Sequence, residues 1–296
     1  MSINAQFLMA ALAFTLGMLW TCITIKETKS NEILRRHSEQ SLPCQREGNR
    51  KAVEGLCEES VQKSAQDDSF LDSLKGFFAL SPEVSKICTM QFFTWIGTMC
   101  MMIFFTQYAV HTIFCVPDLT TAAETTKEIY ASATLKGTNF SSICFAIFNL
   151  VCFLVAIPIG ILSAKFSNKK VHIISMITMI LAYLGMFFSK NPKVIAAMMG
   201  IAGIGWASIC ALPFAMLSQF IKKGTEGSVM GIFNIFIAGP QVFVCTLVAW
   251  FINKCSFTMG SDFINYHWEY TFMVGAICLA IACIIANSVK EKTIEG

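Results

Sequence analysis

Charge is scarce in this sequence and unevenly spread: charged residues are 14% of the 296, against about 25% in ordinary soluble domains. Of the 22 basic and 19 acidic residues, 21 lie between Lys26 and Lys86, so the rest of the chain is poorer still. With 55% hydrophobic residues and a mean hydropathy of +0.60, the composition argues against a soluble globular domain. The net charge of +3 singles out no partner. Catalytic signatures are missing as well. There is no HExxH, GxSxG or phosphate-binding loop, and His111, His172 and His267 lack ligand spacing, so neither an enzyme nor a bound metal or cofactor is expected. The 13 cysteines follow no metal spacing, and most, such as Cys100, Cys144, Cys210 and Cys278, sit inside apolar runs as small hydrophobes. Lys169-Lys170 reads as a cytoplasmic anchor rather than a nucleic-acid patch, and no nucleic-acid partner is expected.

What is abundant is long apolar runs. Crossing a hydrocarbon core takes about 20 predominantly apolar residues. Seven such runs are found, at residues 6–25, 89–114, 142–163, 171–189, 194–220, 229–251 and 270–289. The first lacks the basic n-region of a signal peptide and exceeds the usual apolar length of about 7–15 residues, so it reads as a retained span. Basic residues near span ends are held on the cytoplasmic side. Alternate connections carry 17 Lys and Arg on one side and 5 on the other, which puts the C-terminus inside and Met1 outside.

Between Lys26 and Asp68 the chain is rich in Ser, Gln, Glu, Lys and Arg and almost without aromatics, the composition of a disordered linker. Phe70, Leu71, Leu74, Phe77 and Phe78 then recur at helical spacing, as in an interfacial amphipathic helix. Ser81-Pro82-Glu83 starts the next helix: an N-cap oxygen, a proline at the first position and an acid at the positive end of the dipole. The expected layout is all-α and integral to the membrane. It comprises a transmembrane helix over 1–25, a cytoplasmic linker over 26–88 with an amphipathic helix near 70–80, a six-helix lobe over 89–290 and a cytoplasmic tail over 291–296.

One span, a long charged loop and six more spans also describe a seven-span receptor with its N-terminus outside, and topology does not separate the two readings. Motifs do. Residues 201–218 (IAGIGWASICALPFAMLS) and 231–241 (GIFNIFIAGPQ) resemble the tenth and eleventh spans of the sucrose–proton symporters and the animal proton-associated sugar transporters, in the glycoside-pentoside-hexuronide group of the major facilitators. Residues 160–170 (GILSAKFSNKK), with Gly160, Lys165, Lys169 and Lys170, resemble the general facilitator loop between the second and third spans of a half. Phe92-Phe93-Thr94-Trp95 and Phe104-Phe105-Thr106-Gln107-Tyr108 resemble the seventh span. The resemblance implies a sixth span plus the C-terminal six-helix lobe of a facilitator fold, moving a small sugar, a disaccharide such as sucrose or a hexose, by alternating access. It further implies proton coupling in the full-length family, a multi-pass location in the plasma membrane or an internal one, and a complementary N-terminal half or a second copy as partner.

Two positions depart from the family pattern. Ala164 stands where the loop motif has an acid, and Gln107 stands where the seventh span has Asp after Thr. No Asp, Glu, Lys or Arg lies well inside a span, and His111 is near the outer end of its helix, so the chain has no evident proton carrier. Sugar binding needs hydrogen-bonding groups and an aromatic wall facing a midplane cavity. Trp95, Gln107, Tyr108, Asn149, Trp206, Ser208, Asn234 and Gln241 offer that chemistry. Each also has a structural reading, Ser208 bonding a helix backbone or a neighbour, Asn149 or Gln241 joining two helices. Gly200, Gly203 and Gly205 allow close helix approach, and Pro158, Pro213 and Pro240 free backbone carbonyls within spans, where bends gate a cavity or simply pack. A non-transporting membrane interaction protein is the competing function.

Overall fold

The computed structural model describes residues 81–118, 124–221, 226–259 and 263–290. The expected first span, the linker, the amphipathic segment near 70–80 and the tail lie outside the described residues. Helix α1 covers Pro82–Gln107 and runs on as a π-helical segment, Tyr108–Ile113. Helices α2 (Glu124–Phe166), α3 (Asn168–Phe188) and α4 (Pro192–Ser218) follow. Helix α5 (Glu226–Phe243) continues through a π-helical segment, Val244–Val248, into α6 (Ala249–Lys254), and α7 covers Tyr270–Ser288. Among the described residues, six helices are long and apolar enough to cross a membrane, and they cover the last six apolar runs of the sequence.

The ends of these helices follow local chemistry. Pro192 opens α4 behind Asn191, whose side chain accepts from Lys193 N at 2.9 Å. Ser167 caps α3 in the same way, accepting from Lys170 N at 3.2 Å. At α1 the expected cap differs: Ser81 holds the N-cap position, but its side chain accepts no capping bond, and Glu83 is engaged elsewhere. The carboxylate of Glu83 accepts from Lys86 Nζ at 2.9 Å and from Lys290 N at 2.8 Å. Helix α2 starts well ahead of its apolar run, at Glu124, where a Glu124–Lys127 pair at 2.9 Å braces the first turn. A further difference is the connection from α6 to α7, where strands β1 (Ser256–Met259) and β2 (Phe263–Tyr266) form an antiparallel hairpin with Phe257 opposite Asn265.

Packing runs as an arc, α5–α1–α7–α3–α4–α2. This pattern maps onto itself when α1, α2 and α3 are exchanged for α4, α5 and α7: α1–α7 corresponds to α4–α3, and α1–α5 to α4–α2. Two three-helix groups of opposite direction, interleaved, have this symmetry. The core lies between α1, α3, α4 and α7, with one side of α2, around Met101, Phe105, Phe148, Met179, Tyr183, Met199, Phe272 and Leu279. Glycines set the closest crossings. A Cβ on Gly97 would stand 2.9 Å from Gly275 O, one on Gly275 3.0 Å from Gly97 O, and one on Gly203 against the carbonyl of Phe148.

At the end of the lobe where α1 and α3 begin, α7 finishes in a clamp. Lys169 Nζ donates to Val289 O at 2.8 Å and to Asn287 O at 3.3 Å, and Lys86 Nζ donates to Ser288 O at 3.2 Å. Two lysines thus meet carbonyls that have no helical partner, at the negative end of the helix dipole.

Candidate functional site

Helices α2 and α5 end the arc, and both are mostly uncovered: 11% of the most apolar window of α2 and 22% of that of the α5–α6 span are buried, against 61% for α1. Between them lies an open face floored by α1 and α4. Its centre is aromatic. Trp95 and Trp206 meet edge to face, with ring centroids 5.7 Å apart at 80°, and Phe148 of α2 lies 6.2 Å from Trp206. Trp95 Nε1 is buried and has no hydrogen-bond partner among the described residues.

Asn234 and Gln241 are exposed on α5 and lie on one side of it, together with exposed Gly227, Gly231 and Ala238, because residues four, seven and eleven apart share a helix face. Asn149 is also exposed, its Nδ2 donating to Phe145 O of its own helix at 2.8 Å, so the structure gives it no role in joining helices. The remaining residues are not with this group. Gln107 lies twelve residues beyond Trp95 along α1, about 18 Å at 1.5 Å per residue. It is exposed there, and its Oε1 is 3.0 Å from His111 Nε2. Tyr108 is fully buried and donates its hydroxyl to Met186 O at 2.8 Å and Ser189 O at 3.1 Å, tying α1 to the end of α3. Ser208 is fully buried on the far side of α4 and bonds His172 Nδ1 of α3 at 2.8 Å.

The prolines also divide. Pro158 is exposed on α2, while Pro213 and Pro240 are buried, and all three lie inside continuous helices. The breaks in helical regularity fall instead at the two π-helical segments, neither of which contains proline. Of the loop motif, Gly160 meets nothing within 4 Å of its missing Cβ, and Lys165 is exposed with Nζ 5.7 Å from the Phe166 ring. Lys170 supplies the backbone N–H that Ser167 caps, and Lys169 is the residue whose side chain clamps α7.

Two residues with unusual polarity were not among the expected site residues. Gln91 is fully buried on α1, one turn before Trp95, and neither of its amide atoms has a partner among the described residues. His172 is fully buried, and its Nε2 is likewise unpartnered. The available signal was an amide or imidazole side chain inside an apolar run, which in a membrane needs a partner or a function. Among the described residues no three His, Cys, Asp or Glu are grouped to hold a metal ion.

The family model of the Major Facilitator Superfamily matches residues 87–292. The chain belongs to that superfamily. It is therefore an integral, multi-pass membrane protein of a transporter family and not an enzyme. A solved structure with the same fold is the major facilitator proton:xylose symporter XylE bound to 6-bromo-6-deoxy-D-glucose, at 14% identity and a TM-score of 0.54. The match covers 71% of this chain and 44% of that one, so this chain spans less than half the length of that relative. No curated protein sequence matches the chain. In the superfamily architecture six helices make one lobe of two, and substrate sites lie between lobes.

Proposed function

We propose that this chain forms the C-terminal wall of a sugar-transport path that works by alternating access, within the glycoside-pentoside-hexuronide group that its tenth- and eleventh-span motifs resemble. The observation that carries this reading is the paired-indole contact of Trp95 and Trp206 between α1 and α4, together with amides exposed on the two helices that end the arc, Asn234 and Gln241 on α5 and Asn149 on α2. A flat aromatic surface suits the apolar C–H face of a sugar, and amides donate to and accept from its hydroxyls. The ligand is a disaccharide such as sucrose, or a hexose. The partner is a complementary N-terminal lobe or a second copy, which covers α2 and α5. The C-terminus is cytoplasmic by the 17-to-5 distribution of basic residues, and the family resemblance supports the plasma membrane, with an internal membrane as the alternative.

The test is uptake of labelled sucrose, glucose and xylose in cells expressing the chain, alone and with an N-terminal six-span lobe. Replacing Asn234 with Leu should lower uptake about 5- to 150-fold at equal membrane expression, since an unpaired buried hydroxyl costs about 1–3 kcal/mol. Absence of both uptake and sugar binding with the second lobe present would favour the alternative, a non-transporting membrane interaction protein. The same uncovered α2 surface, with Ile143, Leu150, Phe153 and Ile157 exposed, supports that second reading.

A further inference from the structure

Gln91, Trp95 and His172 hold four of the six buried side-chain polar atoms that have no hydrogen-bond partner among the described residues: Gln91 Nε2 and Oε1, Trp95 Nε1 and His172 Nε2. Helix packing brings them to one place. Thr94 Oγ1 lies 3.7 Å from Met176 Sδ, the Tyr183 hydroxyl donates to Gly97 O at 3.1 Å, and the Tyr108 hydroxyl donates to Met186 O at 2.8 Å. The partners advance together along the two helices, so α1 and α3 run in the same direction. Gln91 is three residues before Thr94 and His172 is four before Met176, and residues at these spacings are neighbours on a helix face. The two side chains therefore stand on facing sides of α1 and α3, one turn from the Thr94–Met176 contact.

Helix α4 closes a third side. It runs opposite to α3, since Ser208 Oγ is 2.8 Å from His172 Nδ1 while a Cβ on Gly205 would stand 3.1 Å from Ser175 O. Trp206, two residues before Ser208, meets Trp95 edge to face, which brings the Trp95 indole to the same region. The residue after Ser208 adds an acceptor: Pro213 has no N–H to give, so the carbonyl of Ile209 lacks its helical donor. Gln91, His172, Ser208 and Ile209 are all fully buried.

The occupant of such a site is set by which groups donate and which accept. Gln91 Nε2 and Trp95 Nε1 donate, Gln91 Oε1 and the Ile209 carbonyl accept, and His172 Nε2 takes whichever role its tautomer leaves to it. An ion meets groups of one kind only. A water molecule meets both, and a buried water makes about three hydrogen bonds to such groups. Direct pairing falls short. Gln91 accepting from Trp95 and donating to His172 would leave its second amide hydrogen and the Ile209 carbonyl unserved, and in the structure these side chains stand beyond hydrogen-bond distance of one another. We propose that α1, α3 and α4 enclose an ordered-water site bounded by Gln91, Trp95, His172 and the Ile209 carbonyl, so that α1 is joined to α3 and α4 through water at this level. The site needs neither the transport reading nor a second lobe.

The experiment is X-ray hydroxyl-radical footprinting of the full chain in lipid nanodiscs, read by mass spectrometry, because radiolysis of a bound water oxidises the side chains beside it even where bulk solvent does not reach. The expected result is oxidation of His172 and of Met176, one turn further along α3, with none at Met101 and Met199, which are equally buried but packed among apolar neighbours. Gln91→Leu should abolish oxidation at His172 and Met176 and leave the other two methionines as they were. Oxidation of all four residues in the wild-type chain would mean that the lobe opens as a whole, and oxidation of none would mean a dry contact with Gln91 paired directly; either result overturns the proposal. The wild-type contrast decides the matter by itself if the variant does not fold. Oxidation that persists at His172 and Met176 in folded Gln91→Leu would also overturn it, since the water would not then be held by Gln91.

Discussion

Gly97→Ala and Gly160→Ala make the same chemical change inside two helices of this lobe and should have opposite consequences. At Gly160 the new methyl group meets nothing within 4 Å, so only the backbone term remains, and replacing a helical glycine by alanine stabilises by about 0.8–1 kcal/mol. At Gly97 the methyl group would stand 2.7 Å from Leu279 Cγ, 3.1 Å from Leu279 Cδ2 and 2.9 Å from Gly275 O. Leu279 can adjust, but the carbonyl is part of the α7 backbone. Ordinary contact therefore requires α1 and α7 to separate by about half an ångström. Overpacking of this kind costs about 1–3 kcal/mol, which offsets or exceeds the backbone gain. The two variants should thus differ by about 1–3 kcal/mol, roughly a 5- to 150-fold difference in the folding constant. Reversible unfolding of the purified chain in mixed micelles, followed by helix content against denaturing detergent, reads that difference. Equal stabilisation by both substitutions would refute the close α1–α7 crossing.

Three further outcomes are expected. Ser167, the single residue joining α2 to α3, has φ 155° and ψ 147°, a region suited to glycine, so Ser167→Gly should raise thermal stability by about 1 kcal/mol after the few tenths lost from the cap; a fall in melting temperature would contradict this. Lys169→Met keeps the apolar stem but releases Asn287 O and Val289 O, and should cost about 0.5–2 kcal/mol, seen as faster hydrogen exchange confined to the last turn of α7. Ser208→Ala takes from the buried His172 the hydrogen bond at its Nδ1 and should cost about 1–3 kcal/mol of stability, while the affinity for sugar of correctly folded protein stays unchanged; weaker sugar binding at unchanged stability would mean that Ser208 belongs to the binding face after all.

The positions of the six described spans follow from the sequence alone, because a hydrocarbon core admits only backbone that satisfies itself, and runs of about 20 apolar residues have one way to do so. The motif residues 201–218 and 231–241 likewise pointed to the superfamily that the match over residues 87–292 establishes. Gly203 and Gly205 could be read as close-approach positions, although their partners could not: Gly97 and Gly275 face each other across 178 positions of sequence, and neither announces the other. The side on which a polar residue stands was not legible either. Tyr108, Ser208 and Asn234 look alike in an apolar run, yet packing buries the first two against α3 and leaves the third exposed on α5. A run that is hydrophobic on all sides carries little periodic signal, since lipid and protein neighbours are equally apolar, so which face meets a helix depends on glycine contacts and polar pairs between distant segments. The same holds for His111. Its sequence neighbours give it a helix end, but the bond to Val116 O and the stack on Trp268 exist only because the chain turns back at residue 115 and the hairpin folds over that turn. Apolar length and composition determined what crosses the membrane; the inter-helix packing decided which side chains are committed to neighbours and which remain free for a ligand.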